Sequence, residues 1–231
     1  MKYLIGIDEA GRGCLVGPMV VAGYLIPTEE MLFLEGSVVI RDSKTLSQRQ
    51  RDTALKIMRQ IPHSVQEIEI ASVSRVDTRV ARGELNELTI DMVHAILGRI
   101  LSRLEPTDEC RIILDSLSSD TRTYGMRYDD IVNQYKNVTV HAHTKADRDF
   151  KVVGAASIIA KTERERQIDE IKKSIEGMVI GDFGSGYPGD ARMVKFLREN
   201  WGQPVLKEIC RQSWKPWREM MQKMGGFNAR I

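Results

Sequence analysis

Lys2-Tyr3-Leu4-Ile5-Gly6-Ile7-Asp8-Glu9-Ala10-Gly11-Arg12-Gly13 begins as an apolar, β-rich run, ends on two consecutive acids and passes into glycines. A second apolar run, residues 19–26, follows the Gly- and Pro-containing segment 10–18, so the pair reads as neighbouring antiparallel strands. Outward from this pair, residues 47–60 have helical spacing with Pro62 as a stop, and residues 65–73 read as a third strand. Residues 86–104 carry an apolar stripe of Leu88, Met92, Ala95, Ile96 and Ile100 that ends before Pro106. Residues 111–114 and 138–142 are short strands, separated by a charged stretch with room for a short helix. A long helix over 151–175 is followed by five glycines between residues 177 and 189, and residues 191–200 and 205–221 again have helical spacing. The expected fold class is α/β. A mixed five-stranded sheet starts with three antiparallel strands and continues with two strands joined by crossover helices. Residues 1–190 form the main domain and residues 191–231 a basic helical appendage.

At 231 residues, with 42% hydrophobic and 29% charged side chains, the chain can bury a sizeable core, and long disorder is excluded as its main theme. No apolar run approaches the ~20 residues that span a bilayer, and residues 1–6 lack a charged-then-apolar leader. The expectation is a cytoplasmic protein without membrane contact. Cys14, Cys110 and Cys210 are far apart and odd in number, which fits a reducing compartment and suggests neither a disulfide framework nor a zinc site. The net charge of +2 is unevenly spread: from residue 192 onward nine Lys and Arg stand against three Asp and Glu, so this stretch carries +6 and the remainder −4. Trp201, Trp214 and Trp217 all lie in the basic stretch, which reads either as an amphipathic packing element or as a nucleic-acid contact.

Asp8 and Glu9 close the first strand, Asp115 closes another, and Asp147 lies between the last strand and the long helix. If the pleat continued, Asp8 and Glu9 would point to opposite faces, so one of them is expected just past the strand end. Single acids at such places are often caps or turn residues; four of them behind apolar strands point to a shared site at the ends of an open α/β sheet. Clustered carboxylates are costly unless they bind a divalent ion or share protons. Their hard oxygens select Mg2+ or Mn2+, and two such ions suit phosphodiester cleavage. A two-carboxylate glycosidase would use the same residue types but gives no role to the adjoining loops. These are Gly11-Arg12-Gly13, and Asp42-Ser43-Lys44-Thr45-Leu46-Ser47 ahead of a helix, in which Arg12, Ser43 and Lys44 are reasonable phosphate contacts. The Gly-x-Gly fragment lacks the rest of a dinucleotide fingerprint, and no Walker-type run is present. His141 and His143 face one side of a strand and read as surface residues rather than a metal pair; Ser157 has no His/Asp partner pattern and reads as part of a small-residue helix face.

The order and identity of several blocks resemble ribonuclease HII, the archaeal single-chain kind. They are Gly6-Ile7-Asp8-Glu9-Ala10-Gly11-Arg12-Gly13 with Gly17-Pro18, Asp42-Ser43-Lys44, Leu114-Asp115-Ser116, Lys145-Ala146-Asp147, Ala155-Ala156-Ser157-Ile158 with Ala160-Lys161, and Gly184-Ser185-Gly186-Tyr187-Pro188. The resemblance implies a ribonuclease H-like sheet and an endonuclease acting on RNA/DNA hybrids and on ribonucleotide-containing duplex DNA. It implies metal ligation by Asp8, Glu9, Asp115 and Asp147, contact of Gly11, Arg12 and Gly13 with the ribose 2′-hydroxyl, and packing of Tyr187 on the sugar at an RNA–DNA junction. It also implies a cut 5′ of the ribonucleotide that leaves 3′-hydroxyl and 5′-phosphate ends. A monomer is expected, with a replication clamp as a conceivable partner. Cys14 stands where the family commonly has proline, and Gly189-Asp190-Ala191 replaces its usual Ser-Asp-Pro. Two other readings are a resolvase- or transposase-type nuclease of the same fold, which would not need the Gly-Arg-Gly and Tyr187 elements, and a non-catalytic duplex-binding module, against which four intact acids speak.

Overall fold

The computed structural model describes residues 1–36 and 46–228; Ser43 and Lys44 lie outside the described residues. In chain order the elements are β1 (Lys2–Ala10), β2 (Met19–Pro27), α1 (Met31–Gly36), α2 (Gln48–Gln60), β3 (Val65–Ala71), α3 (Val73–Ala81), α4 (Leu85–Leu101) and β4 (Glu109–Asp115). There follow α5 (Thr121–Met126), α6 (Asp129–Val132), β5 (Val138–His143), α7 (Ala146–Asp149), α8 (Lys151–Ser174), α9 (Ala191–Glu199), α10 (Leu206–Ile209) and α11 (Lys215–Asn228). The five strands form one mixed sheet in the order β3-β2-β1-β4-β5. β1 pairs antiparallel with β2, while β1–β4 and β4–β5 are parallel, as the long connections between them require.

The chain divides into two compact units. The first comprises residues 1–10, 20–70 and 89–163, and holds the sheet. Strand alternation sorts its side chains. Even positions of β1 and β2 (Ala10, Val20, Ala22, Tyr24, Ile26) pack with Ile113, with Ala54 and Met58 of α2, and with the small-residue start of α8. Gly6 belongs to this face because a Cβ there would lie 2.2 Å from the Val152 carbonyl oxygen, so only glycine lets the start of α8 settle on β1. The opposite face meets α4: a Cβ at Gly23 would reach Ile96, Ile100 and Ile7. α2 begins as its sequence suggests, with Ser47 and Gln50 forming a reciprocal capping box.

The second unit comprises residues 11–19, 71–88 and 164 onward. Its core gathers Leu15 and Val16 with Ile168, Phe183, Phe196, Leu197, Leu206, Ile209 and Trp217. Two sequence expectations are corrected here. The third strand stops at Ala71, because Ser72 accepts a hydrogen bond from the Arg75 amide and starts α3. The single helix expected over 205–221 is two helices, α10 and α11. Cys210 is extended (φ −107°, ψ 143°) and forms a β-bridge with Val16, and Pro216 sits in the first turn of α11, where a missing amide hydrogen costs nothing.

Candidate active site

In the first unit β1 runs through both acids to Ala10, so neither Asp8 nor Glu9 falls past the strand end, contrary to expectation. The pleat therefore sends Asp8 to the α8 face and Glu9 to the opposite one. Asp8 is 7% exposed and accepts a hydrogen bond from the hydroxyl of Ser157, itself fully buried in α8. Asp115 shares the α8 face by its parity with Ile113, and its Oδ1 accepts a 2.7 Å hydrogen bond from the Ala146 amide. That bond ties the start of α7, which carries Asp147, to the end of β4. The turn is tight: Lys145 has φ 60°, a left-handed conformation unusual for a side-chain-bearing residue. Asp115 and Asp147 are close enough to Asp8 to act on its charge, and Glu9 acts on the buried phenol of Tyr128.

Burial pushes Asp8 up to about 7, reinforced by Asp115 and Asp147 and opposed by the Ser157 hydroxyl and the Glu9 amide. Among the described residues no three or more His, Cys, Asp or Glu are drawn together into a group that could hold a metal ion. A buried carboxylate destabilised as an anion by two other carboxylates has the chemistry that a divalent cation, its shell completed by waters and substrate oxygens, would relieve. A stability consequence follows with a definite sign. The folded pKa of Asp8 is raised, so the contribution of this one group to the stability of the metal-free protein is complete below the ordinary carboxylate range and is lost as pH rises towards 7. Thermal unfolding of chelator-treated protein is expected to record this decline, and Asp8→Asn is expected to remove much of it; an unaltered profile in the variant would assign the decline to other groups.

The second unit holds the other residues singled out from the sequence. Gly11 has φ +81°, and a Cβ there would sit 2.5 Å from Arg164 and 2.7 Å from the Pro18 carbonyl, so glycine is required. Gly13 is exposed and meets no such limit, its nearest neighbour being the Tyr187 ring. The Arg12 guanidinium is hydrogen-bonded to the Asn86 side chain and the Leu85 carbonyl. Tyr187 is 45% exposed; the Arg164 guanidinium lies over its ring at 5.5 Å, and its hydroxyl is hydrogen-bonded to the Cys14 thiol. Arg164 also donates to the carbonyls of Val16 and Ser185. His141 and His143 are both exposed on β5, as expected of surface residues. Sequence reasoning missed Ser157, Arg164 and Arg211 as supports of these loops and acids. The run Gly154-Ala155-Ala156-Ser157 signalled close packing, but a buried arginine leaves no periodic trace.

Against known families, residues 5–217 match the model of ribonuclease HII. The chain belongs to the ribonuclease HII family. Ribonuclease HII of Methanocaldococcus jannaschii is 33% identical over 227 residues, covering 95% of each chain. The crystal structure of ribonuclease H2 from Pyrococcus horikoshii OT3 matches with a TM-score of 0.78 and 30% identity over 96% of this chain and 98% of that one. The ribonuclease HII in a PCNA complex from Archaeoglobus fulgidus matches with a TM-score of 0.76 and 33% identity over 92% and 95%. The sheet and its flanking helices are thus those of a ribonuclease H-like fold, and the chain is a hydrolytic endoribonuclease of the ribonuclease HII family, a divalent-metal-dependent class. Among the described residues no helix is long and apolar enough to cross a membrane.

Proposed function

We propose that this member of the ribonuclease HII family hydrolyses the RNA strand of RNA/DNA hybrids and cuts duplex DNA 5′ of an embedded ribonucleotide, leaving 3′-hydroxyl and 5′-phosphate ends. The observation that carries the reading is the buried Asp8 carboxylate with Asp115 and Asp147 acting on its charge. Asp8, Asp115 and Asp147, with Glu9 reaching round from the other face of β1, would hold Mg2+ or Mn2+, two ions once substrate is bound. Such ions, when bound, activate water and stabilise the leaving oxygen of a phosphodiester. The chain's own groups supply the rest. Ser157 orients the Asp8 carboxylate, and the Ala146 amide fixes that of Asp115.

Carboxylates that act on phosphodiesters do not distinguish the two sugars, so selectivity falls to groups that sense the 2′-hydroxyl. Gly11 and Gly13, two and four residues beyond Glu9 in the chain, offer main-chain atoms to it, with Arg12 fixing the local phosphate path. Tyr187 presents a half-exposed ring suited to lie on the deoxyribose beside the cut. Ser43 and Lys44 remain proposed phosphate contacts. The enzyme is proposed to act as a monomer in the cytoplasm, with a sliding clamp, like the one bound by the Archaeoglobus relative, as a recruiting partner.

The test is cleavage of a DNA duplex carrying one ribonucleotide, with Mg2+, Mn2+ or chelator. A metal-dependent nick 5′ of the ribonucleotide is expected; equal cutting of an all-DNA duplex, or none of either, would overturn the reading. The basic stretch from residue 191 onward is proposed as a duplex grip. Its truncation would remove Leu206, Ile209 and Trp217 from a core, so exposed charges are the better probe. Replacing Lys207, Lys215 and Arg218 by alanine is expected to flatten the dependence of log affinity on log salt by roughly one unit per lost phosphate contact. An unchanged slope would return this stretch to a packing role.

A further inference from the structure

The second unit contains a cation that neither the acids nor the exposed basic surface accounts for. Arg211 is 0% exposed, in the extended segment that separates α10 from α11. Its Nε and Nη2 both donate to the Gly17 carbonyl, at 3.1 and 2.9 Å, and its Nη1 donates to the Arg12 carbonyl at 3.0 Å. One guanidinium therefore brackets the loop that begins with Gly11 and ends at Pro18. The main chain around it closes the same loop. The Arg211 amide donates to the Leu15 carbonyl at 2.9 Å, the Gly17 amide to the Ile209 carbonyl at 3.0 Å, and Val16 bridges Cys210. The Trp214 ring covers the guanidinium at 5.9 Å. Ser213 anchors the segment on α3 through the Asp77 carboxylate, its amide donating at 2.8 Å.

A fully buried charge satisfied by carbonyl oxygens is an expensive way to gain stability, since an apolar side chain of similar volume does as well or better. What a guanidinium adds is geometry: planar donors in a fixed fork that sets the separation of two acceptors five residues apart. We propose that Arg211 is the positioning residue of the ribose-sensing loop, holding the Arg12 and Gly17 carbonyls so that Gly11-Arg12-Gly13 keeps one conformation. The proposal rests on the reading of that loop given above. It assigns the segment between α10 and α11 a part in selectivity that is separate from any phosphate contact. Lysine cannot replace the fork, because its three donors radiate from one freely rotating nitrogen and do not fix the separation of two carbonyls.

The experiment compares the full-length wild type with Arg211→Lys, Arg211→Gln and a control, Phe196→Leu, which perturbs the core of the same unit without donating to the loop. kcat and KM are measured on a duplex with one ribonucleotide and on a uniform RNA/DNA hybrid, at a temperature where circular dichroism finds each variant folded. A long hybrid presents a ribose at every step and tolerates a displaced sensor; a single ribonucleotide does not. Arg211→Lys is expected to lower kcat/KM on the single-ribonucleotide duplex by about 10- to 100-fold and on the hybrid by much less, the scale of a small misplacement at a reacting site. Phe196→Leu is expected to lose thermal stability with the ratio between substrates unchanged. Arg211→Gln, whose planar amide is too short to span both carbonyls, gives the same comparison if the lysine variant does not fold. An unchanged ratio in the folded Arg211 variant would overturn the proposal. A wild type inert on both substrates would instead overturn the functional reading beneath it.

Discussion

Asp8→Asn and Asp115→Asn are each expected to retain the fold and lose at least ~10²-fold in kcat, because each removes a negative charge from the set that would hold the divalent ions. The fold should survive for different reasons at the two sites. At Asp8 a neutral side chain suits the buried position, where the fold already holds the carboxyl up to about 7, and Asn retains an oxygen for the Ser157 hydroxyl. At Asp115 the amide oxygen of Asn can still accept from the Ala146 amide, so the start of α7 stays tied to β4. Single-turnover cleavage at saturating Mn2+, with circular dichroism as the folding control, separates the outcomes. Full activity of both variants would sink the two-metal reading.

The other large effect is expected at Tyr187. Truncation to alanine removes the half-exposed ring and the stacking platform of Arg164, whereas phenylalanine keeps the ring and loses only the hydroxyl bonded to Cys14. Burial pushes the phenol up to about 12, so it stays protonated at neutral pH and provides no charge. Tyr187→Ala is therefore expected to lose ~1–3 kcal/mol of transition-state stabilisation at a single embedded ribonucleotide, the usual cost of one stacking aromatic, and Tyr187→Phe far less. Comparing kcat/KM of both variants on the single-ribonucleotide duplex and the uniform hybrid checks this. Equal, small effects on both would reduce Tyr187 to a loop-packing residue.

Much of the sheet was legible because its strands are apolar and bounded by Gly, Pro and acids. The antiparallel β1–β2 pair and the parallel β4 and β5 follow from period and connection length alone. The stripe of α4 and the helical spacing of α2 were equally plain. What failed was local continuity. Helical spacing over 205–221 hid a break because Arg211 and Trp214 fit an amphipathic pattern on paper, and only the tertiary demand of the carbonyls of Arg12 and Gly17 pulls that segment straight. Pro216 was the overlooked sign: it starts a helix more readily than it continues one. The acids were singled out by their places at strand ends, but their division between two faces was not foreseen, since β1 continues two residues past Asp8. Ser157 escaped because a small polar residue in a small-residue helix face resembles packing until its partner is known.

The loop that follows the first two acids of the chain is held by a side chain 199 residues further on. Contacts of such separation close late, after the entropy of the intervening chain has been overcome. During synthesis Asp8 and Glu9 emerge about two hundred residues before Arg211, so through that interval the nascent protein carries its acids without the clasp on its loop. On the reading proposed above, selectivity would be acquired after the acids: a chain cut before residue 211 would keep Asp8, Glu9, Asp115 and Asp147 and lack the side chain that clasps the loop.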